Sequence, residues 1–477
     1  MKNYQKQKCL IATLLLLTMI PLFMIPSSAN SAQTEWKGRD ESEVIVTDGD
    51  CPIVVEHETL TFDIQELPQY SYYDEHPSSP AGTVSAEYTF YNPSDMTVTT
   101  KLAFPVGDSY QAWPGNYTDY QITLNGEVVE SQTHHTIYYY YANDFDLSVD
   151  LPKLCFDYKD DDFYKMDLPV TQYTITLPYY ALTGSNYTRY GIDINPDNYP
   201  NTEFYFPDKP HWHVLEDGTY RLYDFARPGR EITFYAIGEK LENAPVIRVY
   251  EDYKCNDDQL MTNDLAVVRR SGECTLGDLI FEKYDESRGI SKIDWYNANI
   301  DLLRAGRDKN LPRVNVSDFT DFGEAMLRTW YCYEITLAPG ERVTNKITAP
   351  IYPDISEEYR PSIFKYTYLL SPASTWTDFG TLDIVINTPF YMVKNNIDGF
   401  EKTENGYSLT LNGLPKDESG EYIDLNFILS ESENPEWIYG SFLSNNKSKP
   451  GFFKAIGNFF VSIFNAIVNF FKRIFSF

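Results

Sequence analysis

Short runs of Tyr, Thr, Val, Ile and Phe, punctuated by Gly, Pro, Asn and Asp, recur along most of this chain. No other feature limits its fold as much. β-branched and aromatic side chains suit a pleated, half-buried backbone, and the punctuating residues supply turns. Tyr occurs 39 times and Phe 29 times, so the strands must bury rings against one another. The expected fold is mainly β: one or two antiparallel β-sandwich modules, a small helical insertion and a C-terminal amphipathic helix.

Individual elements follow from the same reading. Residues 87–91 predict a strand, Asn92-Pro93-Ser94-Asp95 its turn, and residues 98–104 the return strand, stopped by Pro105. Residues 120–129 predict a hairpin about Asn125-Gly126, a dipeptide that accepts the positive φ angles of a tight turn. Further turns are expected at Glu216-Asp217-Gly218, Asn405-Gly406 and Asn412-Gly413. Residues 343–350 echo residues 98–105. The echo reads either as two related sandwich modules or as a common strand–turn–strand idiom.

Residues 275–330 break the pattern. Ile293, Tyr296, Ile300 and Leu303 have helical spacing, Ser291 with Asp294 resembles a capping box, and Gly306 is a stop signal. A second helix is expected from a Ser317 cap through Glu324 to Trp330, and a third over residues 275–286. The expected order is a signal peptide (1–32), an N-terminal β-rich module (33–250), a helical insertion (251–330) and a second β-rich module (331–438). A linker (439–450) and an amphipathic helix (451–477) complete it.

The ends differ in charge from the middle. Lys2, Lys6 and Lys8 precede an uncharged apolar run, residues 9–25, and small residues follow, as in a cleaved secretory signal. The formal net charge is −30 although both ends are basic, so the body is more acidic still. Such a body excludes nucleic acid as a partner. Cys51, Cys155, Cys255, Cys274 and Cys332 would remain after cleavage. Cys255 and Cys274 are the nearest pair, and no C-x-x-C suggests zinc.

Candidate chemistry is sparse. His211-Trp212-His213 places two imidazoles on one strand face, with no third ligand in view. Asp193-Ile194-Asn195-Pro196-Asp197-Asn198 alternates oxygen ligands as calcium prefers, but equally suits a turn. Asp157-Tyr158-Lys159-Asp160-Asp161-Asp162 reads as a solvated loop, with a loose cation site as the second reading. No G-x-S-x-G elbow and no H-E-x-x-H helix occur. No catalytic, metal or cofactor residue is therefore assigned.

Residues 83–92 with Leu102-Ala103-Phe104-Pro105 carry a weak resemblance, and so do residues 366–372 with Trp376, Phe379-Gly380 and Leu382-Asp383-Ile384. They resemble uncharacterised secreted or cell-surface proteins of Gram-positive bacteria with Ig-like β-sandwich modules. The resemblance implies a sandwich fold and brings no site residues.

The tail carries the functional expectation. Polar residues recur every three or four positions from Lys454 to Ser476, and no acidic side chain occurs among them. Phe452, Phe453, Phe459, Phe460, Ile463, Phe464, Ile467, Phe470, Phe471, Ile474 and Phe475 make a wide apolar face, flanked by Lys454, Lys472 and Arg473. Such a helix suits a lipid interface; spanning the bilayer and docking on the body are the other readings. The chain thus reads as an exported protein at the extracellular face of the cell membrane. Its non-enzymatic ectodomain would bind a protein, carbohydrate or wall ligand. A membrane-active effector and a secreted hydrolase with a dispersed site are the alternatives.

Overall fold

The computed structural model describes residues 35–438, apart from 37–40, 69–80, 106–119, 140–144, 178–187, 251–259, 263–266, 308–313, 316–324 and positions 209, 228 and 244. The fold is mainly β and antiparallel, as the sequence pattern requires. Among the described residues, an eight-stranded sheet packs against a six-stranded and a four-stranded sheet around one core. Alternation decides which side chains enter it. In Gly82–Tyr91 the inward positions are Val84, Ala86, Tyr88 and Phe90; in Val98–Pro105 they include Leu102 and Phe104.

Gly82–Tyr91 and Val98–Pro105 are not a hairpin, contrary to expectation. The first pairs with Val54–Asp63 and Arg342–Ile351 in the eight-stranded sheet. The second pairs with Ala325–Leu337 in the four-stranded sheet. Residues 92–97 therefore arch over the core from one sheet to the other, because both strands carry apolar inner faces that must meet each other. A second arch, residues 338–341, runs beside it in the reverse sense. Asn92 ties the two: its amide donates to the carbonyls of Leu337 and Ala338. The echo of residues 98–105 in 343–350 thus lies within one sandwich, each strand following an arch.

The expected succession of two β modules is corrected by this pairing. The core draws on residues 44–122 and 333–429 together, so residues 33–250 and 331–438 do not form separate consecutive units. The break lies elsewhere. Gln132–Tyr139 pairs with Ala325–Leu337 at the edge of the four-stranded sheet, and the intervening chain forms a second unit there. It contains two five-stranded sheets around their own core. Ala325–Leu337 also overturns the helix expected through residues 324–330. Residues 325–332 pair with Gln132–Tyr139 and residues 330–337 with Val98–Pro105, so tertiary pairing overrides the local reading.

Helices Leu276–Phe281 and Lys292–Arg307 back one of those five-stranded sheets. Thr275 and Asp278 form a reciprocal capping box on the first, which is shorter than the expected span. Ser291 caps the second: its Oγ accepts from the Asp294 amide at 3.0 Å. The Asn125-Gly126 turn is as expected, with φ of 49° and 84°, and joins Gln121–Leu124 to Glu127–Val128.

Candidate ligand-binding cleft

The outer face of the four-stranded sheet is divided in two by its sequence. Outward positions in the paired strands are Thr99, Lys101 and Ala103 against Thr336, Glu334 and Cys332. Ile45, Ala103, Trp330 and Cys332 are apolar and buried beneath Phe145, Leu147, Leu151, Leu154 and Phe156. Thr99, Lys101, Glu334 and Thr336 are polar and open to water. Residues 145–157 thus form a strap over half of the face, and the cleft lies along the boundary.

The strap is built locally. Asp146 accepts from the Ser148 amide to cap the turn Leu147–Asp150. Asp150, 4% exposed, meets Lys153 at 2.8 Å and Arg328 at 3.8 Å. The spacing of Leu147, Leu151 and Leu154 after that cap is the sequence signal for a covering segment.

A stripe on the long helix holds the strap's outgoing end. Asn297, Asp301 and Arg304 lie on one helix face at i, i+4 and i+7. The Asn297 amide donates to the carbonyls of Cys155 and Asp157 at 3.3 and 2.9 Å, while its oxygen accepts from the Lys159 amide at 2.9 Å. Lys159 pairs with Asp301 at 2.5 Å, and Arg304 with Asp161 at 2.5 Å. Burial opposes the charge on Asp161, yet the amides of Tyr164 and Phe163 and the Arg304 guanidinium hold it below the usual carboxylate range. Burial raises Asp301, with Lys159 acting against it. The segment 157–162 is therefore not simply the solvated loop expected: Asp161 is 7% exposed and organises its turn.

Two cavities meet at Lys101, Phe156 and Glu334. The larger, of about 780 Å³, also has Thr47, Asp48, Thr99, Cys155 and Asp157 on its walls. The smaller, of about 370 Å³, adds Glu130, Gln132 and Cys332. Lys101 Nζ lies 4.2 Å from the centroid of the Phe156 ring. Phe156 in turn meets the edge of His134, whose Nδ1 is 3.0 Å from Asp294 Oδ1; His135 Nδ1 is 3.7 Å from the other oxygen. Burial opposes the Asp294 charge, but both histidines hold the carboxyl below its usual range. Cys332 occupies the same sheet face as His134, one pair along. Burial pushes its thiol up to about 12, so at neutral pH it is an uncharged thiol and not a thiolate nucleophile. The sequence alone singles out none of Lys101, Phe156, Glu334 and Asn297, because four separate segments bring them together.

The other sequence candidates stand apart from the cleft. His211 and His213 share a face of the edge strand His211–Val214, as expected, and both contact the Tyr223 ring. The calcium reading of residues 193–198 is overturned. Asp193 is clamped by Arg221 at 2.7 Å and Arg248 at 2.6 Å, and Asn195 caps the following turn, so these oxygens already have donors. Among the described residues no group of three His, Cys, Asp or Glu side chains could hold a metal. Cys274 is a free thiol, and Cys255 lies outside the described residues. The signal peptide, the linker and every tail residue from Phe452 to Phe475 also lie outside them. No described helix is long and apolar enough to cross a membrane.

No family model and no curated protein matches the chain. Among solved structures, a chain from Legionella pneumophila named a "putative nutrient binding protein" is similar at 11% identity and a TM-score of 0.33, over 83% of this chain and 72% of that one.

Proposed function

We propose that this chain is an exported binding protein. Its C-terminal segment holds it at the outer membrane face, and its body takes a small polar ligand in the cleft beside the strap. One observation carries the binding reading. The strap covers only half of the sheet face, leaving an open cleft of about 780 Å³ walled by polar side chains on the sheet side and by Phe156, Leu151, Pro152 and Leu154 on the strap side. The clamps from Asn297 and Asp301 order the strap beforehand, which lowers the entropic cost of binding. The basic end and wide apolar face of residues 451–477 support attachment to lipid.

Two experiments test these halves separately. A chain ending at Asn446 is expected in the medium, and the full chain with the membrane fraction; retention of the truncated chain on membranes would sink the anchor. For the cleft, small polar solutes are screened by thermal stabilisation, which grows with ligand saturation. A solute that stabilises the native chain but not Thr99→Trp, which fills the cleft, supports the reading. Equal stabilisation of both chains defeats it.

A further inference from the structure

The cleft has a definite sign. Among the described residues, Lys101 is the single basic side chain on the combined walls, against Asp48, Glu130, Asp157 and Glu334. The chain as a whole carries a formal charge of −30, which steers cations toward it and repels anions. Glu334 stands directly opposite Lys101 across the strand pair. The Lys101 ammonium rests 4.2 Å from the Phe156 ring centroid, the arrangement by which an aromatic face receives a cation. The ring belongs to the clamped strap, with the Asn297 amide holding the residues on either side of it. A pre-positioned ring, flanking carboxylates and an ammonium are thus already in place, and the ammonium comes from the chain's own lysine.

Building on the binding reading above, we propose that the ligand is a small organic cation bearing a primary amine. Its ammonium takes the position on Phe156 that Lys101 fills in the free chain, with Glu334 and Asp157 beside it. Lys101 then acts as an internal competitor that sets the affinity. An anionic ligand would instead use Lys101 as its partner. The two cases predict opposite effects of removing that lysine.

The test is calorimetric titration of the full chain with 1,4-diaminobutane, lysine amide, succinate and a neutral disaccharide, at low and high salt. The two amines are expected to bind, more weakly as salt rises. Phe156→Ala and Glu334→Gln should each weaken amine binding by about two- to fivefold. Lys101→Ala should tighten it, by roughly two- to fivefold for a solvent-exposed cation–π contact. Urea midpoints of the variants show that they are folded. Weaker or unchanged amine binding by Lys101→Ala overturns the proposal. Binding of succinate or the disaccharide, lost in Phe156→Ala, overturns the amine and leaves the cleft standing. No heat with any probe overturns both readings.

Discussion

Two sets of carboxyl groups lie on opposite sides of the sandwich wall, and their surroundings give them opposite tasks. Outside, Glu334, Asp48 and Asp157 line a cleft that water enters. Inside, Glu43 and Glu58 are both 0% exposed, among the rings of the main core. The Tyr88 hydroxyl donates to Glu43 at 2.5 Å. Among the described residues, the remaining oxygen of Glu43 and both oxygens of Glu58 have no donor. Burial is the main cause that raises both carboxyls, and their mutual repulsion raises Glu58 further. Two buried like charges side by side cannot both persist, so the pair holds a proton, which also supplies the missing donor. The same side-chain type is thus an exposed, solvated group in the cleft and a proton-holding structural group in the dry core.

Substitutions should separate these roles. Glu43→Ala leaves Glu58 and the Tyr88 hydroxyl buried without their partner, and should lose about 3–5 kcal/mol of stability in urea unfolding. A loss below about 1 kcal/mol would mean that the core is wetter than it looks. Next in size is Asn297→Ala, which frees the carbonyls of Cys155 and Asp157 in the strap and the Lys159 amide just beyond it. It should cost about 1–3 kcal/mol and speed alkylation of Cys155, read by mass spectrometry. Glu334→Gln should change stability by no more than about 0.5 kcal/mol while weakening the binding described above.

Acidity sharpens the contrast. Glu43 and Glu58 bind protons more tightly in the folded chain than in the unfolded one, so the stability they confer is complete in acid and declines as pH rises. For Glu43 the window runs from the ordinary 4.5 to about 8. Facing groups are Tyr88, Tyr368 and Asp424, and burial raises Tyr88 well above its ordinary value. Asp161 and Asp294 act in the reverse direction: their carboxyls are lowered, so their contribution is lost as pH falls below the ordinary 3.8. Urea unfolding between pH 4 and 9 should therefore show stability falling on the alkaline side. Glu58→Gln, which gives Glu43 a permanent amide donor, should flatten that fall. An unchanged slope in Glu58→Gln would remove the shared proton from the account.

The sequence made local structure legible and left assembly hidden. Asn125-Gly126 predicted its turn, because positive φ is a property of those residues alone. Ser291 predicted a helix start for a similar reason: a cap needs only its next three residues. The helix expected from residue 275 also begins there, on a capping box that only the structure showed. The hairpin expected across Asn92–Asp95 failed because a turn and an arch use the same residues; only the apolar inner faces of both strands, packed across the core, tell them apart. Residues 324–330 failed as a helix because strand partners more than 180 positions away outweigh a local preference. The cleft was illegible for the same reason, since Lys101, Phe156 and Glu334 belong to three separate segments.

The sequence by itself determined that this chain is β-rich, where several of its turns fall, where two helices begin and that its body is acidic. Those properties depend on neighbouring residues and on composition. Tertiary structure decided that residues 44–122 and 333–429 share one core, that a second unit grows between them, and that Glu43 is dry while Glu334 is wet. The physical reason is that backbone preference acts over a few residues, whereas burial and charge depend on whichever distant strand or strap comes to lie alongside.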